Sequence, residues 1–190
     1  IRCIKFIEVK MSMSNKNQPV VLQVLPELNH GGVELGTVEI ASGMQEQGIK
    51  NFVVSSGGRM EYDLARIKVK HFTLPLKTKN IFKIYSNSKK IAQIIRENKI
   101  NIVHARSRAP AWSAYWAAKK TGATFLTTYH GTYGLGYFNL KKLYNRVMTY
   151  GKLVIAISDH IKQHMIKEYN VSEDKIRLIH RCVNLDNFNP

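Results

Sequence analysis

At 190 residues, 44% of them hydrophobic, the chain can bury one sizeable core but not two. No apolar run approaches the roughly 18 residues of a spanning helix, and charges interrupt residues 1–13 where an export signal needs an unbroken apolar stretch, so the sequence reads as neither spanning nor exported. The net charge is +16, and 18 Lys or Arg against the single acid Glu97 lie between Leu64 and Ser158, which points to an anionic partner: a phospholipid surface, a phosphorylated substrate or nucleic acid.

The first residue is not Met, while Met11 and Met13 precede a polar stretch, so residues 1–13 are set aside as a leader outside the fold. Beyond it, short apolar runs alternate with segments of helical period, the pattern of βαβ units in a parallel sheet. Strands are expected at 20–25, 51–55, 70–74, 101–105, 124–129 and 153–157, with a short one at 176–179. Most lack polar alternation, as strands covered on both faces do. The first helix carries Leu35, Val38, Ala41 and Met44 on one face and closes at Gly48. A second runs from about 80 to 98 with Ile84, Ile91, Ile94 and Ile95 inward. Pro110 opens a third bearing Trp112, Tyr115 and Ala118, residues 139–150 read as a basic helix, and Ser158 caps a last one with Ile161 and Met165 inward. These elements specify an α/β, doubly wound parallel sheet of six or seven strands, with ligands beyond the C-terminal ends of the strands.

Three loops at that edge carry candidate chemistry. The first, 26–32, ends in Gly31 and Gly32 before a helix, where close backbone approach and free amides suit a phosphate; Glu34 in the first turn complements the helix dipole and partly opposes an anion. It is neither the three-glycine dinucleotide fingerprint nor a P-loop, and a plain turn is the alternative. The second is His104-Ala105-Arg106-Ser107-Arg108, whose arginines suit an acidic or phosphorylated group or are simply solvated. The third, from Thr127 to Gly134, holds His130, an imidazole able to bond sugar hydroxyls or phosphate, or else a structural histidine. His160 and His164 lie four apart on one helix but lack the glutamate of a zinc motif and a third ligand, so no metal is expected. Cys3 and Cys182 form neither a disulfide framework nor a metal knuckle, and a reducing cytosol fits them. No Gly-x-Ser-x-Gly elbow points to a hydrolase.

Taken in order, Gly31-Gly32-Val33-Glu34, Val103 to Arg108, Tyr129-His130-Gly131-Thr132-Tyr133, Val154 to Ser158, and Lys175 to Ile179 running into Asn184 to Pro190 resemble the N-terminal half of retaining GT-B glycosyltransferases of family four, the capsule and lipopolysaccharide type. The resemblance implies a Rossmann-like domain over 14–190 that binds the acceptor, with a second half binding the nucleotide-sugar. It implies sugar transfer to a lipid-linked or polysaccharide acceptor, with no cofactor besides the nucleotide-sugar donor. On this likeness Gly31 and Gly32 sit against the donor diphosphate, His130 faces the transferring sugar as the catalytic residue, and Arg106 and Arg108 lie on the acceptor side. Where that family has glycine then aspartate in its interdomain turn, this chain reads Arg181-Cys182-Val183-Asn184, which puts Cys182 at a position favouring glycine. No two glutamates stand eight apart as in the family's donor-binding motif. The donor-binding half is therefore expected to be absent from this chain, which alone would be inactive or would need a separate donor-binding partner.

The excess charge is read as a membrane surface at the inner face of the cell membrane, making the protein cytoplasmic and peripheral. Lys77, Lys79, Lys83, Lys89 and Lys90 lie on or before the second long helix, and Lys141, Lys142 and Arg146 on the basic one, with Phe138, Leu140 and Tyr144 as apolar groups for an anionic membrane. The alternative is a non-catalytic module for anionic surfaces or nucleic acid; the latter is disfavoured, since the strands lack an aromatic stacking platform.

Overall fold

The computed structural model describes residues 18–132 and 140–181. The leader at 1–13 and Cys182 fall outside them. Seven parallel strands, β1 (Val20–Val24), β2 (Lys50–Ser55), β3 (Lys70–Thr73), β4 (Ile102–Ala105), β5 (Thr124–Tyr129), β6 (Leu153–Ala156) and β7 (Ile176–Leu178), form one sheet in the order β3-β2-β1-β4-β5-β6-β7. The helices are α1 (Gly32–Glu46), α2 (Glu61–Arg66), α3 (Ile81–Glu97), α4 (Arg108–Thr121), α5 (Leu140–Asn145) and α6 (Asp159–Tyr169). This is the doubly wound architecture expected, with every strand within about two residues of its predicted ends.

Two apolar layers flank the sheet. Leu22, Val24, Phe52, Val54 and Val103 face a large core shared with α3, α4 and α6, while Leu25, Val53 and Leu28 face a smaller one with Ala41 of α1 and Leu64 of α2. The alternation of Phe52 and Val54 with Val53 is the pleat delivering successive side chains to opposite faces. Helix α3 begins where the Asn80 side chain accepts from the amides of Phe82 and Lys83, and its Ile84, Ile91, Ile94 and Ile95 are buried as predicted. Ser158 likewise accepts from the Ile161 amide and starts α6.

Three local readings differ. Leu35 is 46% exposed, because the side of α1 that meets the sheet is made of Gly36, Thr37 and Ala41. Helix α4 begins at Arg108, two residues before Pro110, which therefore sits inside its first turn, where its missing N–H costs nothing. The basic segment is not one helix: α5 stops at Asn145 and a 3-10 turn follows over Arg146–Thr149, where Val147, Met148 and Thr149 are buried and the Thr127 hydroxyl bonds the Met148 carbonyl.

Candidate functional site at the switch point

The sheet order reverses between β1 and β4, so the crossovers leaving them run to opposite sides and open a crevice at their C-terminal ends. Gln23 of β1 is fully buried there. Its Nε2 donates to the Thr37 carbonyl at 3.1 Å, and its Oε1 accepts from Arg106 Nη1 at 3.2 Å, so one amide ties strand, helix and arginine together. Arg106 is only 3% exposed, and its backbone amide donates to the Val24 carbonyl, so the β1–β4 ladder runs up to the arginine itself. Its Nε has no partner among the described residues. A buried guanidinium without a counter-ion is costly, and burial first, then repulsion from Arg181, lowers its pKa to about 10, with Glu39 opposing.

The glycines make room for these cations. A Cβ on Gly36 would stand 3.2 Å from Arg106 Nη2 and 3.3 Å from Arg181 Nη2, and one on Gly32 would stand 2.6 Å from Arg181 Nη1. The Arg181 guanidinium also donates to the Gly32 carbonyl. The first-turn amides of α1, which have no acceptor within the helix, belong to the same edge.

His130, one residue past β5, has both ring nitrogens buried and unpartnered among the described residues. Burial, then Arg106, then Arg181 push its pKa to about 3, so it is a neutral imidazole, able to donate one hydrogen bond and accept another. Beneath it His104 is also held neutral, well below its ordinary range, by burial and then by Arg106; its Nε2 lies 2.7 Å from the Thr128 hydroxyl, bridging β4 and β5.

Of the residues predicted from sequence, Gly32, Arg106 and His130 converge on one edge, with Gly31 capping α1 beside them. Arg108 turns instead toward the basic segment, where Nη1 donates to Asn145 Oδ1 at 3.0 Å. Arg181 was missed as a site residue; its place in the turn after β7 was the available signal, but its reach across to α1 was not. His164, set aside as a ligand, packs against the rings of Tyr129 and Tyr169. A recess of about 260 Å³ edged by Lys142, Arg146 and Glu168 shares no lining residue with the switch-point loops.

The cationic face is partly as expected. Lys77, Lys79, Lys83, Lys89, Lys90, Lys141 and Arg146 are exposed, although Lys77 pairs with Glu27 at 2.8 Å, and Lys142 lies over the Tyr169 ring. The apolar groups are corrected: Tyr144 is half-buried with its hydroxyl sealed, whereas Ile81, Phe82 and Tyr85 of α3 are 64%, 81% and 56% exposed. Phe138 and the Leu140 side chain lie outside the described residues. No described helix is long and apolar enough to cross a membrane.

Comparisons with known proteins agree with this fold. A glycosyltransferase from Rickettsia africae is 44% identical over 91% of this chain and 45% of its own, with a TM-score of 0.79. The Anabaena protein HepE in complex with UDP and glucose is 16% identical, covering 87% of this chain and 45% of its own, at a TM-score of 0.70. The lipopolysaccharide outer core galactosyltransferase WaaB is 17% identical over 87% of this chain and 46% of its own, at 0.68. The chain thus spans about half the length of the structures it matches, and the two distant ones speak to fold alone. No curated protein sequence matches it. The model of Glycosyltransferase Family 4 matches residues 30–187, and the chain belongs to that family.

Proposed function

We propose that this domain is the acceptor-side half of a retaining GT-B glycosyltransferase that moves a sugar from a nucleotide-sugar to a lipid-linked or polysaccharide acceptor of the capsule or lipopolysaccharide type. The observation that carries the reading is the convergence of α1's first turn, Arg106 and His130, with buried nitrogens unpartnered, on the switch-point edge. In such a transfer the bond from the anomeric carbon to the diphosphate oxygen breaks and one to the acceptor oxygen forms. The acceptor proton leaves with the diphosphate. Charge grows on that leaving group, where backbone amides and guanidinium groups stabilise it. A neutral His130 fits a neutral partner, a sugar hydroxyl, better than it fits a phosphate. A cytoplasmic, peripheral enzyme at an anionic membrane is in keeping with the exposed lysines of α3 and a lipid-linked acceptor.

Transition-state stabilisation needs the donor held as well as the acceptor, so this chain alone should turn over no nucleotide-sugar. Joined to the second half of the Rickettsia africae protein, it should transfer sugar into a lipid or polysaccharide fraction. Turnover by the chain alone would overturn the reading, as would a fusion that binds nucleotide-sugar yet transfers nothing.

A further inference from the structure

Arg106, after β4, and Arg181, after β7, reach the same point of α1. Each brings an Nη2 to within 3.3 Å of where a Gly36 side chain would begin. Neither makes an ion pair among the described residues. Guanidinium groups are always charged near neutrality, so the two repel across this point, Arg106 from a buried position and Arg181 from an exposed one. Two carboxylates of α1 do not cancel this: Glu39 acts on Arg106 less than Arg181 does, and Glu34 folds back over Gly31. The Arg106 Nε and both His130 nitrogens are buried and unpartnered beside them. Two donors converging with free helix-start amides match an anion with two phosphoryl groups.

We propose that Arg181 is the second cation of a diphosphate site, admitted across Gly32 and Gly36, and that the diphosphate of a nucleotide bridges it to Arg106. This rests on the reading of the switch-point edge as the seat of the leaving nucleoside diphosphate and adds to it a residue from the far end of the fold. The spacing of Gly32 and Gly36, one helical turn apart, then has a chemical reason: both face the guanidinium groups, and a methyl at Gly32 would clash with Arg181 while one at Gly36 would press on both arginines.

The test is calorimetric titration of the chain with inorganic pyrophosphate. Wild type should bind it more tightly than orthophosphate. Arg181→Gln should weaken binding at least about tenfold, the size of one charge-assisted contact. Arg177→Gln, on β7 and bonded among the described residues to backbone carbonyls of its own segment, should stay within about twofold of wild type, as expected where no anion contact is lost. Gly36→Ala should weaken pyrophosphate binding while helix content holds or rises, since alanine favours a helix over glycine; a merely structural role would lower both. Displacement of pyrophosphate by uridine diphosphate supports the nucleotide source, and displacement by farnesyl diphosphate alone overturns it. Equal affinity in wild type and Arg181→Gln, or no binding by wild type, overturns the proposal. Because no transfer is measured, a failure of the transferase reading would show separately, in the fusion protein.

Discussion

His130 and Arg106 illustrate what one residue owes to its neighbours. His130 is kept neutral by burial and by two arginines, which makes it a hydrogen-bonding group at every physiological pH. In the joined enzyme His130→Ala should lower turnover roughly a hundredfold, comparable to losing one positioned electrostatic donor; an unchanged rate, measured with saturating donor, would remove it from the mechanism. Burial also lowers His104 and, against the pull of Glu61, His71, which bridges the Ser55 hydroxyl and Glu61. All three histidines therefore bind protons more weakly folded than unfolded. Their contribution is complete above the unfolded value of about 6.5 and is lost as pH falls below it, at up to about 1.4 kcal/mol per pH unit for each. Urea unfolding between pH 8 and 5.5 should show a plateau and then a decline; stability that rises toward pH 5.5 would contradict this. The histidine and the two glycines were legible in the sequence because they sit next to a strand end or a helix start. Arg181 was not, because its partner Gly32 is 149 residues away and no local pattern encodes that meeting.

Among elements, α3 was read most completely and the segment after β5 least. Four isoleucines at helical spacing, with an asparagine ahead of them, leave little choice of face or start. The 140–149 segment has helical composition, yet burial of Val147, Met148 and Thr149 against the sheet tightens its end into a 3-10 turn, a tertiary demand that local propensity does not carry. In α1 the periodic Leu35 misled, because the buried side is defined by small residues that give no hydrophobic signal. The outward side of α3 joins Lys83, Lys89 and Lys90 to Ile81, Phe82 and Tyr85. Cations near an anionic bilayer contribute on the order of 1 kcal/mol each, and exposed rings add apolar insertion. Cosedimentation with phosphatidylglycerol vesicles should be seen at low salt, be lost at high salt, and weaken on charge reversal at Lys83, Lys89 and Lys90. Phe82→Ser should weaken it too. Equal binding to neutral vesicles, or indifference to the reversals, would count against a membrane role, and tighter binding to an oligonucleotide would favour the nucleic-acid alternative.

For the whole molecule, the strand order matters more than any single motif. Reversal at β1–β4 brings the loop after the first strand, the arginine after the fourth, the histidine after the fifth and the arginine after the seventh to one edge. That gathering is why weak motifs scattered over the sequence become one site in the fold, and why their order along the chain was informative while each alone was not. This edge, and no other surface, is the proposed seat of the diphosphate of a nucleotide. Chemical-shift mapping of the labelled chain during titration with uridine diphosphate tests it most directly. The amides of Gly32, Val33 and Gly36 and the side chains of Arg106 and His130 should move together and saturate together; shifts confined to the α5–α6 recess around Lys142 and Glu168, or no saturable shifts at all, would rule out a diphosphate site at this edge.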